Sequence, residues 1–97
     1  MIKHIVTFKL AGNPEERLQT SKKFKEALMN LPGKIETLKS MEVGVNSNPD
    51  EDWDIVLTAI VDDMNGLKEY ATHPLHVKAA SIIKDIKAAR ACVDYEI

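Results

Sequence analysis

The chain has 97 residues, enough for one domain (residues 1–97) and too few for two. Its 13 basic and 15 acidic residues leave a formal charge of −2 with no basic block, which excludes the electrostatic footprint of a nucleic-acid binder. No apolar run approaches the roughly 20 residues that cross a bilayer, so no membrane partner is expected.

The first element is a strand. Residues 2–10 alternate, with His4, Val6, Phe8 and Leu10 on one face and Ile5, Thr7 and Lys9 on the other. The opening MIKHIVTFKL has neither the apolar core nor the small-residue cleavage site of a signal peptide. The single cysteine, Cys92, has no internal disulfide partner and suits a reducing compartment. A cytoplasmic protein is the expectation.

Asn13-Pro14-Glu15-Glu16 reads as a helix start, with a capping asparagine, proline at the first helical position and acids in the first turn. The periodicity predicts a helix to about Leu31, with Leu18, Phe24, Ala27, Leu28 and Leu31 as its apolar stripe, and Pro32-Gly33 ends it. Residues 37–46 alternate again, with Met41, Val43 and Val45 on one side. An acidic turn from Ser47 to Asp52 follows, and then the most apolar strand, Trp53 to Asp62. Ile55, Leu57, Ala59 and Val61 oppose Val56, Thr58 and Ile60 there, so both faces of this strand should be covered.

A short helix is expected over roughly 64–71, carrying Met64, Leu67 and Tyr70. Pro74 pushes His73 out of the helical region and breaks it. A further helix starts at Pro74 with Leu75, Ala79, Ile82, Ile83 and Ile86 as its stripe, and Ala91–Ile97 alternates as a last strand. The order β-α-β-β-α-β, with the second helix broken, is the ferredoxin-like α+β pattern with a four-stranded antiparallel sheet. Helices cover one face of such a sheet. Apolar Val56 and Ile60 on the other face predict a symmetric homodimer through that face.

Three segments together resemble the stress-responsive A/B barrel (Dabb) family. They are the opening strand His4–Leu10, the block Tyr70-x-x-His73-Pro74-x-His76-Val77, and Arg90 with the closing Cys92-Val93-Asp94-Tyr95-Glu96. The resemblance spans nearly the whole chain, and its most specific part is the Y-x-x-H-P-x-H block. It implies a dimeric α+β barrel with a small-molecule cavity between sheet and helices in each protomer.

Most bacterial members of the family have no assigned activity. In some plant members, polyketide cyclases, a tyrosine and the second histidine of the block act as acid and base in an aldol-type ring closure. The matching residues are Tyr70 and His76, with His4 lining the same cavity. Val6 and Phe8 beside His4, and Phe24 on the first helix, complete the candidate substrate contacts. The sequence departs from those cyclases along the first helix, where charged residues around a single Phe24 replace their aromatic pocket wall. Related folds include cofactor-free monooxygenases and haem-degrading enzymes, and a non-catalytic ligand-binding dimer is the alternative of a different class.

Histidine, titrating near pH ~6.5, can take up and return a proton, which suits His76 as a base. Its plainer reading is a first-turn residue bonded to a nearby carbonyl. Tyr70 can donate to a carbonyl oxygen, or simply pack in the core with its hydroxyl at the rim. His4, on an apolar face, is either a satisfied core histidine or the third polar group of a cavity. His73 reads as a helix cap, and Trp53 as a packing residue at the sheet edge. The spacing His73-x-x-His76 lacks a nearby cysteine or carboxylate to complete a metal set, so neither a metal nor a cofactor is expected.

Overall fold

The computed structural model describes residues 1–97, in the order β1 (Ile2–Leu10), α1 (Pro14–Met29), β2 (Leu38–Val45), β3 (Ile55–Val61), α2 (Met64–Thr72), α3 (Pro74–Ala80) and β4 (Lys87–Glu96). The strands form one antiparallel sheet in the order β2-β3-β1-β4. This is the ferredoxin-like α+β fold, and the helices lie on one face of its sheet.

Register explains which residues share that face. His4 pairs with Ala59 of β3 on one side and with Asp94 of β4 on the other, and Val6 pairs with Leu57 and Cys92. The strict alternation of β1 buries Ile2, His4, Val6, Phe8 and Leu10 beneath the helices. Ile55, Leu57, Ala59 and Val61 of β3 join them, with Phe24 and Leu28 of α1 and Leu67 and Tyr70 of α2 as the other layer.

The opposite face carries Ile5, Val56, Ile60, Val93 and Tyr95 on adjoining strands. No element of the protomer lies over this face. Val93 remains 63% and Tyr95 42% exposed, although both are paired within the sheet.

Local chemistry sets the element ends. Asn13 caps α1 by accepting the Glu16 N–H at 2.8 Å, with Pro14 at the first helical position. Asp63 caps α2 by accepting the Gly66 N–H at 2.7 Å. Gly33 closes the turn after α1 with φ of +86°, a region that side chains rarely adopt.

Four expectations need correcting. Leu18 is 41% exposed, and the buried stripe of α1 runs instead through Ser21, Phe24 and Leu28. Leu18 lies in the N-terminal turns and borders a surface cavity with Val45 and Asn46. Met64 likewise opens α2 on its exposed side. The apolar spacing of Ile82, Ile83 and Ile86 does not extend α3, which ends at Ala80 with Ser81 as its cap. Residues 81–86 are successive turns in which Ile83 alone is fully buried, and they lead straight into β4, which starts at Lys87 rather than Ala91. Periodicity counts apolar residues and is blind to whether the backbone between them closes helical hydrogen bonds.

Candidate functional site

The break between α2 and α3 builds the site. On one unbroken helix Tyr70 and His76 would point about 120° apart around the axis and could not meet. Pro74 cannot supply the N–H that a continuing helix needs, and His73 takes an extended backbone, φ −62° and ψ 135°. The imidazole of His73 turns back to accept the Leu75 N–H at 3.1 Å, so it caps α3. The redirected chain brings the Tyr70 and His76 rings to 4.5 Å between centroids. From the sheet below, His4 meets Tyr70 edge-on at 6.0 Å.

Each ring has a defined state. The Ala71 carbonyl can only accept, so the 2.9 Å contact with His76 places the proton on Nδ1 and leaves Nε2 as a lone pair. Burial lowers the His76 pKa below its ordinary value of 6.5. The hydrogen bond to Ala71 opposes that shift, while the charges of His4, Arg90 and His73 reinforce it. At neutral pH this imidazole is therefore an unprotonated base.

Tyr70 is 1% exposed, and its hydroxyl is the one buried side-chain polar atom without a hydrogen-bond partner. Burial pushes its pKa far above that of a free phenol, and the nearby Arg90 charge offsets this only in part. It stays protonated and can only be a donor or a neutral acceptor.

His4 Nδ1 donates to Asp94 Oδ1 at 2.5 Å across the β1–β4 pairing. That bond fixes the imidazole's tautomer and orientation, leaving Nε2 as its other ring nitrogen. Cys92 stands beside them, its Sγ 3.5 Å from both His4 Nδ1 and Asp94 Oδ1. His4, Cys92 and Asp94 thus offer three donor atoms within 4.8 Å of one another, a set of the types that bind transition metals. Metal at that point would have to displace the His4–Asp94 hydrogen bond. It would also need the Cys92 thiolate, which burial and then the Asp94 carboxylate disfavour by raising the thiol pKa.

Two cavities flank this cluster. The outer one, about 470 Å³, is lined by His4, Leu67, Lys68, Tyr70, His76, Arg90, Cys92 and Asp94 among others. The inner one, about 140 Å³, is bordered by the same two histidines and Arg90 and is walled by Val6, Phe8, Phe24, Leu57 and Ile83. Phe8 and Phe24 pack edge-to-face there at 5.4 Å. All six residues singled out from the sequence therefore line one or both cavities. Asp94, Cys92 and Arg90 were not singled out as site residues. Only the pairing of β4 with β1, 90 positions apart, brings Asp94 to His4. A third cavity of about 440 Å³ lies on the opposite face near Thr7, Trp53 and Val56, and its single titratable residue is Glu51. Trp53 borders that cavity, far from the acid–base groups.

The fold and these side chains define a ferredoxin-like α+β domain whose helix-covered sheet face carries a tyrosine–histidine pair. The chain belongs to the stress responsive A/B barrel (Dabb) domain family, whose sequence model matches residues 2–97. It is 34% identical over 100 residues to the uncharacterized protein SCO4036 of Streptomyces coelicolor, covering 99% of each chain. A dimeric ferredoxin-like protein of unknown function from Bacteroides fragilis is 48% identical, with a TM-score of 0.95 over 99% of this chain and 95% of that one. A second such dimeric protein, from Thermobifida fusca, is 27% identical, with a TM-score of 0.82 over 99% of this chain and 90% of that one. Solved antibiotic biosynthesis monooxygenases, at 13% and 12% identity, share the fold alone. No helix is long and apolar enough to cross a membrane.

Proposed function

We propose that this protein is a homodimeric acid–base catalyst acting on a small organic carbonyl compound held in the outer cavity. The observation that carries this reading is the buried, partnerless Tyr70 hydroxyl beside the free Nε2 of His76. A buried hydroxyl without a partner costs about 1–3 kcal/mol, and a substrate carbonyl oxygen would satisfy it.

In this mechanism Tyr70 donates to the carbonyl oxygen, and His76 Nε2 removes the proton from the adjacent carbon. The C–H bond breaks, its electron pair passes into an enolate, and the proton resides on His76. The enolate carbon then bonds to a second carbonyl carbon of the same molecule. The imidazolium returns its proton to the new alkoxide, so the histidine ends as it began. His4, braced by Asp94, sets the wall against which the substrate lies.

The dimer follows from the uncovered sheet face. Ile5, Val56, Ile60, Val93 and Tyr95 form an apolar patch of the kind that marks an association surface, and the Bacteroides and Thermobifida relatives are dimeric proteins. Two sheets packed face to face through this patch leave both outer cavities open on the helix sides.

The test is deuterium exchange at the α-carbon of ketone and polyketide-like carbonyl compounds in D2O, followed by NMR. Wild-type protein should accelerate exchange, while Tyr70→Phe and His76→Gln abolish it with the fold intact by circular dichroism. Equal exchange with wild type and both variants would refute the catalytic reading and leave a non-catalytic ligand-binding dimer.

A further inference from the structure

The charges around the Tyr70 hydroxyl do not balance. Lys68 and Arg90 both line the outer cavity. Neither makes an ion pair within 4.0 Å, although four such pairs form elsewhere in the chain or between His4 and Asp94. The one acid in that lining is Asp94, and its Oδ1 is committed to His4. Lys87 adds a third unpaired cation where Arg90 borders the inner cavity. The chain as a whole is acidic, at −2, so this basic cluster runs against its overall charge.

Arg90 is placed to matter. It borders both cavities, and its charge acts on the Tyr70 hydroxyl, the His76 ring and the Cys92 thiol. Solvated cations on a convex surface need no partner. Arg90 is itself exposed, but it lines the same cavity as Tyr70, a residue 1% exposed whose hydroxyl has no partner. One neutral and one cationic donor residue thus border the same cavity, and no protein acceptor is assigned to the hydroxyl.

We propose that the outer cavity binds a keto carboxylate, with the ketone oxygen accepting from Tyr70 and the carboxylate held by Arg90. This rests on the reading of Tyr70 as a carbonyl donor and adds the charge of the ligand. A planar guanidinium matches a carboxylate with two parallel hydrogen bonds. A phosphate would ask for more: no glycine-rich turn or row of backbone N–H groups faces this cavity, and its floor is Leu67, Ala71 and aromatic rings. Lys68, at the rim, draws the anion in without fixing its orientation.

The experiment is calorimetric titration of the intact protein with 3-acetylbenzoate and, separately, with its methyl ester. The two probes share ring and ketone and differ in the charge. Wild type should bind the carboxylate at least tenfold more tightly than the ester. Arg90→Gln should erase that preference by weakening the carboxylate far more than the ester, and Tyr70→Phe should weaken both probes. Equal binding of acid and ester, an acid preference that survives in Arg90→Gln, or binding of neither probe would each overturn the proposal. Because binding is scored without turnover, an Arg90-dependent acid preference in a protein that fails the deuterium-exchange assay would refute catalysis and keep the ligand class. Exchange on neutral ketones without any acid preference would do the reverse.

Discussion

Replacing Tyr70 by phenylalanine is a test in which stability and activity should move in opposite directions. The ring is 1% exposed and packs between His4 and His76, so its apolar contacts carry over to phenylalanine unchanged. What is lost is one hydroxyl that has no hydrogen-bond partner. In the unfolded chain that hydroxyl is hydrated, and on folding it gives up water for nothing, at a cost of about 1–3 kcal/mol. Removing it should therefore stabilise the free protein by about 1 kcal/mol, the lower end, since the new aryl hydrogen leaves a small void where the oxygen was. For a domain of this size that gain corresponds to a rise in Tm of about 4–8 °C. Urea unfolding followed by circular dichroism measures it, at fixed protein concentration because a dimer's stability depends on it. A loss of 1 kcal/mol or more in Tyr70→Phe would mean that the hydroxyl has a structural partner in the free protein. The case for a donor waiting on a ligand would then collapse.

His76 gives a pH prediction. Its folded pKa lies below the unfolded 6.5, so the unfolded chain binds more protons between the two values, and stability falls as pH drops from about 6.5 into that window. His76→Gln should flatten this limb of the stability curve, and NMR titration of the His76 ring should give a midpoint below 6.5; a midpoint above it would contradict the burial account. Phe24→Ala, at a fully buried ring packed edge-to-face against Phe8, should cost about 3–5 kcal/mol by denaturant unfolding and enlarge the inner cavity. A cost under 1 kcal/mol would show that this wall is not close-packed. Val93→Glu on the uncovered face should convert dimer to monomer in sedimentation velocity while keeping the circular dichroism spectrum; an unchanged sedimentation coefficient would remove that face from the interface.

The architecture could be read from the sequence because its signals are local. Alternation in residues 2–10 specified both the strand and the face that carries His4, and Asn13-Pro14 specified a helix start that the cap geometry realises. The helix break at His73-Pro74 was equally legible, since proline's missing N–H acts on its immediate neighbours. Signals failed where tertiary packing decides. Ile82, Ile83 and Ile86 keep helical spacing through a run of turns, and Leu18 has the right period but stays 41% exposed beside a surface cavity. At the site, Tyr70 and His76 could be named together because the Y-x-x-H-P-x-H block resembles that of the family. Asp94 and Arg90 could not, because the alternation in β4 separates two faces without saying which one the helices cover.

The pairing of β1 with β4 has a consequence for synthesis. His4 leaves the ribosome 90 residues before Asp94, yet the two close a single hydrogen bond. A nascent chain stopping before residue 87 already holds His4, Tyr70 and His76 but lacks the strand that braces one of them and supplies Arg90. Nothing local can substitute for that contact, and such distant pairing is slow to form. The topology therefore makes the cavity a late product of folding: the wall formed by Arg90, Cys92 and Asp94 comes into being only when β4 docks.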